Sequence, residues 1–271
     1  MRYLTGLAFG AGEQAVAGHS GQFIVGLDTL TILADSRYTI QAHREAAGAR
    51  IEPVTGNLAA AWPALVAAVG ARRVAVEAGF VSHALWERLA AAAPEVELVP
   101  ADGWVEAARA TKEPAELERI AAACAVADTA LAALLPEIRP GVTEETLALR
   151  LEWLIRTNGA EALAFDVACL SGPEAALPHG SPGDRPVLDG SVLLFDFGAQ
   201  VAGYRSDMTR TLFVGEPLPR DLDIYHLVAA SQAAAIDAVR TSVEAAAAGV
   251  PLPDGRWFDA IARGVIEADG R

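Results

Sequence analysis

Lysine is almost missing from this sequence: Lys112 is the only one in 271 residues. Arginine carries nearly all the positive charge and is outnumbered, with 21 Lys and Arg against 35 Asp and Glu, for a formal net charge of −14. Binding along a phosphate backbone needs a concentrated basic surface, so the balance argues against a nucleic-acid partner. Adhesion to an anionic membrane surface is disfavoured for the same reason. Cysteine is nearly as scarce. Cys124 and Cys169 form no CxxC pair, and both read as small buried hydrophobes in a reducing compartment. No apolar run approaches the roughly 18 residues expected of a membrane helix. Met1 to Gly6 lacks the apolar stretch of a signal peptide. A cytoplasmic protein without a membrane partner is the expectation. There is no internal repeat, and alanine runs are the nearest thing to low complexity.

What is present is an ordinary globular balance, 52% apolar and 21% charged, with enough chain for two cores. Residues 1–110 alternate short strands and helices. Phe23-Ile24-Val25, Leu30 to Leu33, Val74-Ala75-Val76 and Val96 to Val99 are strand-like, and Ser82 to Ala92 has helical character. That pattern predicts a small α/β domain. Pro114 suits the first turn of a helix, because its missing N–H has no partner there. Beyond it, Leu117, Ile120, Ala121, Cys124, Leu131, Leu134 and Leu135 recur at three-and-four spacing and predict one buried face. Thr143 can cap a second helix with Leu147, Leu151, Leu154 and Ile155 inward, ended by Asn158-Gly159. Three strands are predicted at Leu163–Leu170, Ser191–Phe197 and Tyr204–Val214, then helices over about 221–241 and 257–268. Residues 111–271 therefore read as an α+β domain, with the boundary near 110.

Chemistry concentrates in Val192-Leu193-Leu194-Phe195-Asp196-Phe197-Gly198 and Gly203-Tyr204-Arg205-Ser206-Asp207-Met208-Thr209-Arg210-Thr211. An ionised Asp196 in so apolar a strand is costly unless a cation or hydrogen-bond donors compensate it. A hairpin centred between residues 201 and 202 would set Asp196 directly opposite Asp207. Two carboxylates that close repel unless something positive lies between them, and a divalent metal is the economical answer. Spacing alone leaves a second reading open, in which Arg205, Arg210 or backbone N–H groups satisfy the two acids.

These segments resemble the first two metal-ligand motifs of the Xaa-Pro peptidases, prolidase and aminopeptidase P, within the methionine aminopeptidase and creatinase superfamily. Ala164-Phe165-Asp166 and Ser171-Gly172-Pro173-Glu174-Ala175-Ala176-Leu177-Pro178-His179-Gly180 are similar to the family segment carrying an active-site histidine. Lys112 to Ile120 and Arg139-Pro140-Gly141-Val142-Thr143-Glu144 fit too, and Tyr3-Leu4-Thr5-Gly6 and Asp35-Ser36-Arg37-Tyr38 resemble the creatinase-type first domain. The resemblance implies an α/β creatinase-like N-terminal domain (1–110) followed by the N-terminal half of an α+β pita-bread catalytic domain (111–271). It implies that Asp196 chelates one divalent ion and that Asp207 bridges two, Mn2+ first with Co2+ or Zn2+ as alternatives. Such ions acidify water and polarise the scissile carbonyl. His179 would lie beside the substrate, and Thr209 would orient a ligand from behind; a strand threonine chosen for β propensity is the plainer reading of Thr209.

The implied activity is hydrolysis of the bond between an N-terminal residue and proline. A dipeptidase acting on proline-containing dipeptides comes first, and an aminopeptidase P acting on longer peptides second, in a homodimer. A creatinase-like amidinohydrolase is more distant, since that type lacks the Asp pair. The family pattern also asks for one His and two Glu beyond the Asp pair. No histidine follows His226, and Glu267 lies in no matching motif. The expectation is an incomplete chain, opening at an internal strand of the first domain and inactive as it stands. A metal-free peptide-binding or scaffold protein is the alternative.

Overall fold

The computed structural model describes residues 2–5, 22–54 and 57–270. The chain divides into two units, one of residues 1–120 with 202–204, the other of residues 121–201 and 205–271.

In the first unit a helical turn, α1 (Arg2–Thr5), stands where an internal strand was expected. Next come β1 (Gln22–Val25), β2 (Leu30–Ala34), α2 (Thr39–Glu45) and β3 (Arg50–Pro53). Then follow α3 (Leu58–Ala68), β4 (Arg73–Glu77), α4 (His83–Ala92), β5 (Glu97–Ala101) and α5 (Trp104–Ala110). β2 pairs antiparallel with β1 and parallel with β3, while β4 and β5 form a separate parallel pair. Side-chain caps set two of the helix starts: Asn57 accepts from the Ala60 N–H (3.1 Å) and Ser82 from the Leu85 N–H (3.3 Å). Leu33, Leu58, Trp62, Leu65, Leu85 and Leu89 form the main core. The segment Asp35-Ser36-Arg37-Tyr38 is a closed turn, in which Asp35 accepts from the Arg37 backbone N–H (2.9 Å) and pairs with its guanidinium (2.8 Å).

α6 (Pro114–Leu134) begins at the proline, as predicted. Glu116 in its first turn is buried, accepting from the Glu113 N–H (2.8 Å) and the Tyr204 hydroxyl (2.7 Å). The predicted buried stripe is displaced. Leu117 and Cys124 are exposed, and the inward side is Ala123, Ala127, Ala130, Leu131 and Leu134. With alanine at so many positions several faces fit the spacing, and the face of smallest side chains lets the helix approach most closely. Pro114–Glu137, at a mean hydropathy of 1.5, is also long and apolar enough to cross a membrane by length and composition, contrary to expectation. Ala127, Ala130, Leu131 and Leu134 nevertheless pack into the core of the second unit.

α7 (Glu144–Thr157) follows its prediction closely. Thr143 accepts from the Thr146 N–H (3.2 Å), Leu147, Leu151, Leu154 and Ile155 are buried, and Gly159 ends the helix at φ +109°. Each such large aliphatic removed from water contributes about 1.5–3 kcal/mol.

The strands that follow are shorter than predicted. Leu163–Leu170 is β6 (Ala162–Leu163) and β7 (Ala168–Ser171), which lie in different sheets. β8 (Val192–Phe197) and β9 (Ala199–Val201) part at Gly198, and Tyr204–Val214 splits into β10 (Tyr204–Arg205) and β11 (Met208–Phe213) around Ser206-Asp207. One sheet has the order β10-β9-β6, the other β11-β8-β7. Gly198 explains all three breaks. A Cβ there would collide with the Ser206 carbonyl and lie 2.8 Å from the Ala164 Cβ, so three segments are pinched together where only glycine fits. α8 (Pro219–Ala247) and α9 (Gly255–Ala268) then pack against each other, linked by the Ser231 hydroxyl donating to the Ala262 carbonyl (2.7 Å).

Candidate metal centre

β8 carries strict alternation. Leu193, Phe195 and Phe197 are fully buried, while Val192, Leu194 and Asp196 face the other way and are partly exposed. β11 pairs antiparallel with it, Met208 to Phe197 and Thr209 to Asp196, and on to Phe213 with Val192. The expected direct opposition of Asp196 and Asp207 is therefore wrong. Asp196 faces Thr209, whose hydroxyl donates to its Oδ1 at 3.3 Å.

The reason is the turn. The Ser206 N–H donates to the Ala199 carbonyl in the same register (2.9 Å), leaving Ala202 and Gly203 as a two-residue reversal. Both have positive φ, +49° and +84°, as the turn type matching strand twist requires. The reversal is centred one residue later than predicted, which moves the register by two. A shift of two preserves faces, and alternation from Thr209 puts Asp207 on the side of Asp196. In an unbroken ladder such diagonal neighbours have Cα atoms about 7–8 Å apart; Asp207 itself lies just outside β11, in the break that precedes Met208.

Neither acid meets an arginine among the described residues. Arg205 Nε donates to the Gln200 side chain (2.8 Å) and Arg210 NH1 to the Thr209 carbonyl (2.8 Å). Asp207 is exposed and Asp196 partly so. Ser206, buried just before Asp207, accepts from the Ala199 N–H (3.0 Å) and donates to the Ala123 carbonyl (3.2 Å), fixing that stretch of chain on α6.

His179 lies in the long connection between β7 and β8, after a 3-10 turn at Gly172–Ala176, and is exposed. Its neighbour Gly180 seats this loop on the sheet: a Cβ there would lie 2.7 Å from Leu170 Cδ1. Leu170 pairs with Leu194 and Ala168 with Asp196, so Leu170 projects from the face that bears Asp196. The loop therefore leans over the acidic face.

Glu144, which sequence reasoning passed over, is 0% exposed yet charged. Its Oε1 accepts from the Ser171 N–H (2.7 Å) and hydroxyl (2.8 Å), its Oε2 from the Gly183 N–H (3.1 Å) and Arg185 NH2 (2.7 Å). Burial alone pushes this carboxyl up; donation by Ser171, Arg185 and Gly183 outweighs it and holds the group below its ordinary value. The Thr-Glu-Glu sequence signals only a capped, acidic first helical turn, and nothing in it marks partners 27 to 41 positions away.

The donor type suits a divalent ion, since both acids are hard oxygen ligands. The donor number does not: among the described residues no three His, Cys, Asp or Glu side chains converge. Two carboxylates fall short of a closed two-metal site, and no catalytic step follows from these residues alone.

The family model for metallopeptidase family M24 matches residues 118–267, and that for the creatinase/prolidase N-terminal domain matches residues 1–111. An uncharacterized peptidase of Bacillus subtilis, YqhT, is 31% identical over 270 residues, 100% of this chain and 71% of its own. Among solved structures, an Xaa-Pro dipeptidase from Bacillus anthracis superposes with a TM-score of 0.84 at 29% identity, covering 99% of this chain and 70% of that one. An X-Pro aminopeptidase from Thermotoga maritima gives 0.83 at 28%, covering 99% and 71%. Curated Xaa-Pro dipeptidases from two Pyrococcus species are matched over 52% and 47% of their length, so the chain spans about half of them. With both family models matched and the fold shared, the chain belongs to metallopeptidase family M24, a creatinase/prolidase-type N-terminal domain preceding residues of the pita-bread domain.

Proposed function

We propose that this chain belongs to an Xaa-Pro peptidase in which Asp196 and Asp207 are the first two ligands of a divalent-metal centre. What supports the reading is the register, which sets Thr209 opposite Asp196 and, by alternation, Asp207 toward the same side, with no arginine paired to either acid among the described residues. Mn2+ is the first choice, with Co2+ or Zn2+ as alternatives. When bound, such ions supply Lewis-acid polarisation of the amide carbonyl and a water nucleophile at neutral pH. The chain's own part is to hold the acids at one spacing, to orient Asp196 through the Thr209 hydroxyl, and to present His179 over the same face for proton exchange with the scissile amide.

Cleavage before proline by a dipeptidase is the first reading. The aminopeptidase alternative draws on the Thermotoga maritima structure, whose likeness is nearly equal. A homodimer in the cytoplasm is part of the proposal, and the two free cysteines fit a reducing compartment. With too few ligands among the described residues, the 271-residue chain is read as inactive by itself.

Titration of the purified chain with Mn2+, followed by electron paramagnetic resonance, tests the ligand assignment. We expect weak binding, with Kd on the order of 10⁻⁴–10⁻³ M as for sparsely liganded sites, weakened several-fold further by Asp196→Asn and by Asp207→Asn, and no hydrolysis of an Xaa-Pro dipeptide. Affinity indifferent to both substitutions would remove the two acids from the centre. Turnover by the chain alone would overturn the inactivity.

A further inference from the structure

The connection from β7 to β8 occupies residues 172–191. Connections of more than about 12–15 residues without structure of their own are uncommon in compact domains, and are held in place where they carry function. Here the outgoing end is Ser171 and the return leg is Gly183 to Val187, and both meet at a single side chain.

We propose that Glu144 is a positioning residue for His179: its carboxylate ties the two ends of the histidine-bearing loop together. Oε1 takes the Ser171 N–H and hydroxyl, Oε2 takes the Gly183 N–H, and Arg185 spans both oxygens through Nε (3.3 Å) and NH2 (2.7 Å). The main chain reinforces the return leg, with the Glu144 N–H donating to the Arg185 carbonyl (3.1 Å) and the Glu145 N–H to the Gly183 carbonyl (3.0 Å). Residues 172–182 are thereby closed into a loop with a third fixed point at Gly180, seated on Leu170, and His179 is adjacent to that point. Packing alone does not call for an ion here. A core that needed only filling could replace the whole Glu144–Arg185 pair by apolar side chains, because a buried ion pair seldom outperforms a hydrophobic replacement of both partners. What only a carboxylate offers is two acceptor atoms and no donor, matched to donors from both ends of the loop. The proposal rests on the reading of His179 as the group beside the substrate.

Glu144→Gln tests it with little change of shape. One oxygen becomes an NH2 that faces donors, so one end of the loop is released while the other stays bound. The readouts, on the 271-residue chain, are the His179 imidazole signal in proton–carbon NMR and amide exchange of residues 172–183 compared with 193–197. The signal is assigned among five histidines by His179→Asn. Exchange in 172–183 is expected to rise roughly tenfold more than in 193–197, with the His179 signal moving toward that of free histidine. Glu144→Asp, which keeps both acceptors, should restore part of each effect. Should Glu144→Gln fail to fold, Arg185→Gln releases the anchor from the partly exposed side and is read in the same way.

A folded Glu144→Gln with wild-type His179 signal and loop exchange would overturn the proposal. So would a rise shared equally by 193–197, or global unfolding in both variants, since each makes Glu144 a core residue only. Neither readout involves metal or hydrolysis, so failure here is separable from failure of the Mn2+ titration.

Discussion

Glu144 shows how a charge can be both buried and favourable. Its carboxylate loses all contact with water but gains five hydrogen bonds, and its pKa falls in consequence, although burial opposes the change. A group held below its unfolded value contributes stability that is complete above that value, 4.5 for a glutamate, and is lost as pH falls through the lower folded value. Urea denaturation should show Glu144→Gln less stable than wild type by about 3 kcal/mol near pH 7. That gap should shrink as pH drops from about 4.5, because wild type then gives up what the variant never had. A gap unchanged down to the acid limit would mean that the ionised form contributes nothing.

Among elements, the β8–β11 hairpin separates what sequence could and could not reveal. Its face assignment was legible because Leu193, Phe195 and Phe197 alternate with Asp196 on an apolar strand. Its register was not. The reversal uses Ala202-Gly203, whereas the recognisable sequences for two left-handed residues place asparagine or aspartate before glycine. Ala202 at φ +49° bears a cost of about 1–2 kcal/mol for its Cβ. Ala202→Gly should therefore raise stability by about 0.5–1 kcal/mol once the looser unfolded chain is counted, seen as a later urea midpoint. An earlier midpoint would show that the alanine methyl has packing worth more than the strain. α7 was fully legible, since Thr143 and four spaced aliphatics point to one outcome. α6 was not, because its alanines satisfy several faces at once, and the pinch at Gly198 depends on atoms from three distant segments.

At the scale of the molecule, order is unevenly distributed. The sheet β11-β8-β7 lies on a core containing Leu147, Leu151, Phe195 and Phe197. By contrast, α8 buries only Ser231 and Ser242, α9 buries no residue, and Leu222, Ile236, Val239 and Val243 of α8 are exposed. Local opening free energy follows buried contact. Amide exchange should therefore release α8 and α9 at least tenfold faster than β8, and equal protection would show the helix pair to be cooperative with the sheet.

Ala202 and Gly203 also carry an arithmetic constraint. Adding or removing two residues beside a bend that stays two residues long would slide one strand past the other with every side chain kept on its face. If the bend itself kept its two residues, an odd change beside it would slip the register by one and send Thr209 to the apolar side, so the parity of that slip decides whether Asp196 keeps its threonine partner.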